Sequence, residues 1–100
     1  MSKFMICFGD VRRDSEMLEK WNKFLTELRA TEAWKATGYD QCSMEGGDWG
    51  WFQSSGGKVN IRMATEVLQE LGFRMSETAW GAVRFDPGSE VFEPPSPKSL

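Results

Sequence analysis

An amphipathic pattern over residues 14–36 predicts a long helix with one apolar side. Apolar side chains that recur at spacings of three and four lie on one stripe of a helix. In this segment they are Met17, Leu18, Trp21, Phe24, Leu25 and Leu28. Asp14 or Ser15 can cap the N-terminus of the helix, and Gly38 provides a stop beyond its C-terminus. The apolar side requires another layer of structure to cover it.

Four strands are predicted from the remaining apolar segments. Residues 4–8 form a short apolar run that suits a central strand, and residues 79–85 are predicted as the last strand. Residues 39–44 and 49–53 flank the glycine pair at 46–47, whose conformational freedom suits a tight hairpin turn. These two segments are therefore the second and third strands.

A second helix is predicted to begin after Asn60, which is a favourable N-cap residue, and to end at Gly72. Phe73 is placed to close a Schellman motif by contacting Leu68. The apolar face of this helix consists of Ile61, Ala64, Val67, Leu68 and Leu71.

The predicted order, β-α-β-β-α-β, is that of a ferredoxin-like α+β fold, an antiparallel sheet with two helices on one face and the other face open. A further helical turn over residues 76–80 would instead give a winged-helix-like fold. Residues 73–75 and 90–93 are candidates for additional short strands. Residues 1–93 are predicted as one domain, followed by an extended Pro-rich tail over residues 94–100.

The composition excludes several classes of protein. The 100 residues are 40% hydrophobic and 27% charged, as in one ordinary globular domain. The longest apolar run, residues 4–8, is far shorter than the ~20 residues that span a bilayer, and the N-terminus has no signal-peptide pattern. We therefore expect a cytoplasmic protein that does not enter membranes. The net charge of -3 argues against general affinity for nucleic acids, because that affinity depends on clustered Lys and Arg.

The residue patterns that many enzymes and metal sites use are missing from this sequence. The chain has no histidine, which excludes imidazole as a base or a metal ligand. Cys7 and Cys42 lack the spacing of a zinc site and are expected to be buried free thiols. The glycine-rich segment 54–58 lacks the spacing of a phosphate-binding P-loop. We expect no catalysis, no cofactor and no metal.

The glycine-flanked segment 46–57 is the most distinctive part of the chain, because three aromatic residues lie within it. A two-residue or four-residue turn pairs Met44 with Trp49. The same turn pairs Cys42 with Trp51, so all four residues share one face of the hairpin. Burying ~200 Å² of each tryptophan contributes on the order of 5 kcal/mol before entropy, and we therefore expect this face to be core.

The opposite face of the sheet is then the open face, on which Met5 and Cys7 of the first strand also lie. Aromatic and arginine residues on such a face are typical anchors of protein interfaces. The predicted partner-binding residues are Tyr39, Gln41, Gly50, Phe52, Trp80 and Arg84. An alternative is that the C-terminal tail folds back and covers this face.

The sequence thus predicts a small non-catalytic protein-interaction module that binds itself, as a homodimer, or a larger protein. Compact one-domain chains of this kind are frequent among phage antagonists of host defence, including anti-CRISPR proteins. By that class analogy, the module is a regulator or inhibitor of a larger complex.

The run Trp49-Gly50-Trp51-Phe52 resembles the centre of the third-strand consensus of the RNA-recognition motif, which is aromatic-Gly-aromatic-apolar. The resemblance implies that Trp49 and Trp51 stack on the bases of single-stranded RNA from the open sheet face. It makes these two tryptophans the alternative binding residues. The basic-Gly pair that opens the consensus is not present in this chain.

Residues 3–10, together with Trp21 and Phe24, resemble the start of the YCII-like dimeric α/β-barrel proteins. This resemblance implies a ligand cleft between the helices and the sheet, so a ligand-binding dimeric α/β-barrel protein is a further alternative. The histidine that is usual in that family is absent from this chain.

Overall fold

The computed structural model describes residues 3–7, 15–45, 49–79, 81, 83–86 and 94–97. Within these residues, five strands form one mixed sheet, against which three helices pack. The elements are β1 (Phe4–Cys7), α1 (Ser15–Ala30), α2 (Glu32–Lys35), β2 (Gln41–Glu45), β3 (Trp49–Gln53), α3 (Ile61–Glu70), β4 (Arg74–Glu77) and β5 (Val83–Asp86). The predicted α+β class is therefore confirmed.

The strand order of the sheet is β2-β3-β1-β5-β4. β3 pairs antiparallel with both β1 and β2, and its pairing with β2 is the predicted hairpin. β5 pairs parallel with β1 and antiparallel with β4, which lies at the edge. The ferredoxin-like order is not confirmed, because a β4–β5 hairpin occupies the place of a single last strand.

A turn at Gly81 interrupts the segment 79–85 that the sequence predicts as one strand. Gly81 has a φ of +83°, in the left-handed region that favours glycine, and its N–H donates to the Thr78 carbonyl oxygen at 3.0 Å. The chain therefore reaches the turn as β4 and leaves it as β5. Residues 76 and 77 belong to β4, so the helical turn required by the winged-helix alternative is wrong for them. Trp80, at the end of that predicted helical turn, lies outside the described residues.

The core lies between the helices and one face of the sheet, with Phe4 at its centre. The ring centroid of Phe4 lies 4.6 Å from that of Tyr39 and 5.3 Å from that of Phe52. Phe85 lies 5.2 Å from Phe4 on the other side, and all of these side chains are fully buried. The helices contribute Trp21, Phe24, Leu25, Leu28, Trp34, Ala64, Val67 and Leu68 to the same cluster. The apolar faces predicted for the two long helices therefore lie in or against the core, except that Ile61 is 40% exposed.

The long helix predicted over residues 14–36 is divided at Thr31. Thr31 has an extended backbone, and its hydroxyl donates to the Leu28 carbonyl oxygen at 2.7 Å and accepts the Trp34 N–H at 3.2 Å. Threonine side chains that bond to nearby backbone groups favour helix caps over helix interiors. The break directs Trp34 into the core, where its indole N–H donates to the Tyr39 carbonyl oxygen at 2.8 Å.

Both predicted ends of α3 are confirmed. The Asn60 side-chain oxygen accepts the N–H of Met63 at 3.1 Å, as an N-cap does. At the other end Gly72 has a φ of +98°, and the N–H of Phe73 donates to the Leu68 carbonyl oxygen at 3.0 Å. This is the hydrogen bond of a Schellman motif, and it directs Phe73 into the core.

The loop before β2 packs closely on the loop that precedes α3. Gly38 has a φ of +83°, and a Cβ atom at this position would collide with the carbonyl oxygen of Lys58. Two residues further along the same loop, the Asp40 carboxylate accepts the Ser55 N–H at 2.9 Å and the Ser55 hydroxyl. These hydrogen bonds, that from the hydroxyl above all, hold the pKa of Asp40 below its ordinary value of 3.8.

The described part of the Pro-rich tail, residues 94–97, lies against α1 on the helix side of the sheet. Pro97 is fully buried. A cleft of ≈ 260 Å³ lies between α1 and the three tail residues that precede Pro97. Its lining consists of Lys20, Lys23, Phe24, Glu27, Pro94, Pro95 and Ser96. These residues therefore do not cover the opposite face of the sheet, as one alternative supposed. The predicted return strand at 90–93 lies outside the described residues, as do residues 98–100.

Candidate binding site on the open sheet face

The pairing of β2 with β3 decides which side chains lie on each face of the sheet. Ser43 pairs with Trp51, and Cys42 pairs with Phe52. The predicted register, which paired Cys42 with Trp51, is wrong by one residue. Because successive side chains of a strand alternate between faces, the shift moves Trp49 and Trp51 off the core face and places Phe52 in the core.

We call the side of the sheet that faces away from the helices the open face. The other side carries the buried core residues of the strands, among them Phe4, Phe52 and Phe85. The register and the alternation along each strand place a second set on the open face: Lys3, Met5, Cys7, Gln41, Ser43, Trp49, Trp51, Gln53, Arg74, Ser76, Arg84 and Asp86.

Trp49 and Trp51 form the aromatic centre of the open face. Both side chains are half-buried, and their ring centroids lie 5.6 Å apart with an angle of 82° between the planes. This is an edge-to-face pair. The Lys3 ammonium nitrogen lies 4.5 Å from the centroid of the Trp51 ring, within the range of a cation–π interaction. The centre therefore combines exposed aromatic surface with one positive charge.

Met5 and Cys7 of β1 extend this apolar centre across the sheet. Met5 pairs with Trp51 on one side and with Arg84 on the other, and it is 5% exposed. Cys7 pairs with Trp49 and is half-buried. The prediction that Met5 and Cys7 lie on the face away from the helices is therefore confirmed.

An ion pair borders the apolar centre on the β5 side. Arg84 Nη2 lies 2.8 Å from Asp86 Oδ1, and Arg84 Nε donates to both carboxylate oxygens at 3.0 Å. The Ser76 hydroxyl donates to the same carboxylate at 3.4 Å. Hydrogen bonding to Asp86 is the main cause that raises the pKa of Arg84 above its ordinary value, with a smaller contribution from Cys7. The guanidinium thus stays charged, and Asp86 balances its charge.

Three of the six residues predicted to bind a partner are buried. Tyr39 and Phe52 are 0% exposed, and Gly50 is also buried. Phe52 and Gly50 moved to the core face with the shift in register. Tyr39 precedes β2, and its ring packs beside Phe4 and Trp34. The prediction that these three residues lie exposed on the open face is therefore wrong.

Two of the predicted residues remain on the open face. Gln41 is exposed at the β2 edge, and Arg84 lies on β5 with its side chain 44% exposed. Trp80, the sixth, lies outside the described residues. The alternative binding residues, Trp49 and Trp51, lie at the centre of the same face.

Lys3 was missed by the sequence reasoning, although a signal for it is present. Residues 3, 5 and 7 alternate with the inward-facing Phe4 and Ile6, so the face of Lys3 follows from that of Met5. Its position beside Trp51 required the correct pairing of β1 with β3.

Cys42 lies on the core face opposite Phe52. Burial raises the pKa of its thiol to about 12, and the positive charge of Arg29 opposes that effect only in part. The sequence predicted two buried thiols, whereas both cysteines are half-buried thiols. The Cys42 thiol stays protonated near neutral pH and is a poor nucleophile.

No group of three or more Cys, Asp or Glu side chains is close enough to hold a metal ion in the parts of the chain that the structure describes. Among the same residues, no helix has the length and apolar character needed to cross a bilayer. What the open face offers chemically is aromatic surface, amide and hydroxyl groups, and a few fixed charges. The chain matches no protein-family model, and neither a curated protein nor a solved structure is significantly similar to it.

Proposed function

We propose that the chain is a small non-catalytic module that binds another protein through the open face of its sheet. The observation that carries this proposal is the position of Trp49 and Trp51, which lie edge to face on the side that the helices leave uncovered. Tryptophan is among the residues that contribute most to protein interfaces, and truncation of such a residue costs about 2 kcal/mol or more in binding. Large apolar patches on a monomer commonly mark such contacts.

The surroundings of the two tryptophans have the composition of an interface rim. Gln41, Ser43 and Gln53 lie along β2 and the end of β3, and the Arg84–Asp86 pair lies on the other side of β1. An apolar centre with a polar border is the common anatomy of a protein–protein interface. Such a module acts by occupying a surface of a larger complex, which is how a regulator or inhibitor without catalytic groups works.

Single-stranded nucleic acid is the second candidate partner, and the strand alternation favours it. In Trp49-Gly50-Trp51 the two rings lie on the open face and the glycine lies inward, as the resemblance to the RNA-recognition motif requires. Lys3 beside Trp51 could contact a phosphate. We rank this candidate second because Asp86 balances Arg84 and the chain as a whole is acidic.

Copurification from the native cell tests the proposal. The tagged wild-type chain should retain a protein that the double variant Trp49→Ala, Trp51→Ala does not retain. When the chain and that protein are each purified, the wild-type chain should bind it and the double variant should not. Ile61→Ala is the matched control, because Ile61 is 40% exposed and lies at the start of α3, away from the open face. Circular dichroism of each variant establishes that it is folded.

Two outcomes contradict the proposal. The first is a bound protein that both tryptophan substitutions leave in place. The second is binding of single-stranded oligonucleotides that weakens steeply with salt and disappears in the double variant, which would establish the second candidate instead.

A further inference from the structure

The β4 edge of the sheet carries a second exposed surface, separate from the tryptophans. Among the described strands, β4 is paired on one side only, with β5. All four of its residues are exposed, and Met75 is 52% exposed. An edge strand presents backbone N–H and C=O groups that can pair with another strand. Met75 adds an apolar side chain at the middle of that edge.

We propose that the β4 edge is a self-association surface at which two copies of the chain pair their β4 strands antiparallel about a two-fold axis. A two-fold axis perpendicular to the sheet leaves each side chain on the same face of the sheet in both copies. Residues that lie opposite each other across the axis must therefore belong to the same face of β4. Met75 and Glu77 lie on the helix side, and Arg74 and Ser76 lie on the open face. Centring the axis on Met75 satisfies this condition and places Met75 opposite Met75 of the second copy. Arg74 then lies opposite Ser76.

The charges of β4 favour the same arrangement. Arg74 lies at one end of the strand and Glu77 at the other. Antiparallel pairing places the two Arg74 side chains at opposite ends of the junction, and the two Glu77 side chains likewise, whereas in-register parallel pairing would place Arg74 opposite Arg74 and Glu77 opposite Glu77. No like charges lie directly opposite each other in the antiparallel register centred on Met75.

The resulting dimer has one continuous sheet of two copies, with β4 of each at the junction. Because the axis is perpendicular to the sheet, the open faces of both copies lie on the same side. The pair of tryptophans is therefore presented twice on one surface, which allows a partner with two equivalent sites to bind both copies. The β4 contact does not include Trp49 or Trp51, so its existence is independent of the function proposed for them.

Light scattering of the full chain over a concentration series extending to the millimolar range tests the proposal. The mass should rise towards twice that of one chain, and Met75→Glu should weaken the dimer at least about tenfold, because it places two carboxylates opposite each other. Trp51→Glu is the control and should leave the dimer unchanged. A chain that stays monomeric throughout overturns the proposal, and so does a dimer that Trp51→Glu dissociates while Met75→Glu does not.

Cysteine crosslinking tests the register. In a chain with Cys7→Ser and Cys42→Ser, the added substitution Met75→Cys should form an intermolecular disulfide under mild oxidation, because directly opposed strand residues lie within bonding distance. Glu77→Cys should not form it, since Glu77 lies opposite residue 73 of the second copy. Crosslinking through Ser76→Cys but not through Met75→Cys would overturn the proposed register.

Discussion

At the scale of single residues, Tyr39 is the clearest case of a buried polar group left unsatisfied. Its hydroxyl has no hydrogen-bond partner among the residues that the structure describes, and the side chain is 0% exposed. Burial also raises the pKa of the hydroxyl above its ordinary value of 10.0, so the group stays neutral. A buried hydroxyl without a partner costs free energy that a phenyl ring does not.

Tyr39→Phe should therefore keep or raise the stability of the protein. We expect the free energy of unfolding to stay the same or to increase by about 1 kcal/mol, because the ring contacts with Phe4 are kept and the desolvation cost is removed. Urea denaturation measures this. A loss of more than about 1 kcal/mol would show that the hydroxyl has a partner that stabilises the fold.

Asp40 gives the chain a defined dependence on acid. Its folded-state pKa lies below the ordinary value of 3.8 because the carboxylate accepts hydrogen bonds from Ser55. A group whose pKa is lowered by folding stabilises the folded state above its unfolded pKa, and this contribution is lost as the pH falls through the folded value.

Asp40→Asn should therefore lower the free energy of unfolding at pH 7, and the difference from wild type should shrink as the pH falls below 3.8. Denaturation at a series of pH values measures the difference. Glu66→Gln on α3 controls for the loss of one negative charge. A difference that stays constant down to the lowest pH would contradict the role assigned to this carboxylate.

At the scale of elements, the register of the β2–β3 hairpin decides which aromatic residues belong to the core. Phe52→Ala should lower the free energy of unfolding by about 3–5 kcal/mol, because Phe52 is fully buried against Phe4 and Trp34. Trp51→Ala should cost about half of that or less, since Trp51 is half-buried on the open face. Chemical denaturation of the two variants in parallel measures both. The opposite ranking would restore the register predicted from the sequence.

The strands of this hairpin were predictable, but the register was not. Residues 49–53 were predicted as a strand with the bounds that the structure shows. The glycine pair at 46–47 permits turns of several lengths, and the observed pairing of residue 45 with residue 49 leaves three residues between the strands. The large apolar surface of a tryptophan side chain favoured the prediction that Trp49 and Trp51 are buried. That argument failed because two other tryptophans, which the helices supply, already occupy the core.

The helices were more accessible to prediction than the second half of the sheet. Apolar periodicity identified the faces of α1 and α3, and capping chemistry identified both ends of α3. The break at Thr31 depends on a side-chain hydrogen bond that competes with a helix interior, and periodicity does not reveal it. The β4–β5 hairpin depends on a positive φ at Gly81. A single glycine in an apolar strand pattern does not by itself predict such a turn.

The same limits apply to the candidate site. The idea of an open sheet face, with Met5, Cys7 and Arg84 on it, followed from alternation along the strands. The sequence predicted Phe52 on this face and Trp49 and Trp51 in the core, whereas the structure has the reverse. The cause is that one step of register moves every side chain of a strand to the other face.

At the scale of the whole molecule, stability should fall from the centre of the sheet to the β4 edge. β1 lies between β3 and β5, and Phe4 and Ile6 are 0% exposed, whereas all of β4 is exposed. We expect the amides of β1 to exchange with deuterium most slowly and those of β4 to exchange faster, in a sample dilute enough to be monomeric. Hydrogen exchange resolved by residue measures this. Equal protection of β1 and β4 in the monomer would contradict the arrangement.

The parallel pairing of β1 with β5 joins Met5 to Arg84, positions separated by about 80 residues of chain. During synthesis β1 leaves the ribosome before its parallel partner, which is made only after the helices and the first hairpin. One side of β1 therefore lacks its parallel partner while the helices and the first hairpin are translated. Docking of β5 completes the pairing of β1, so β1 can have both of its described neighbours only after β5 has been made.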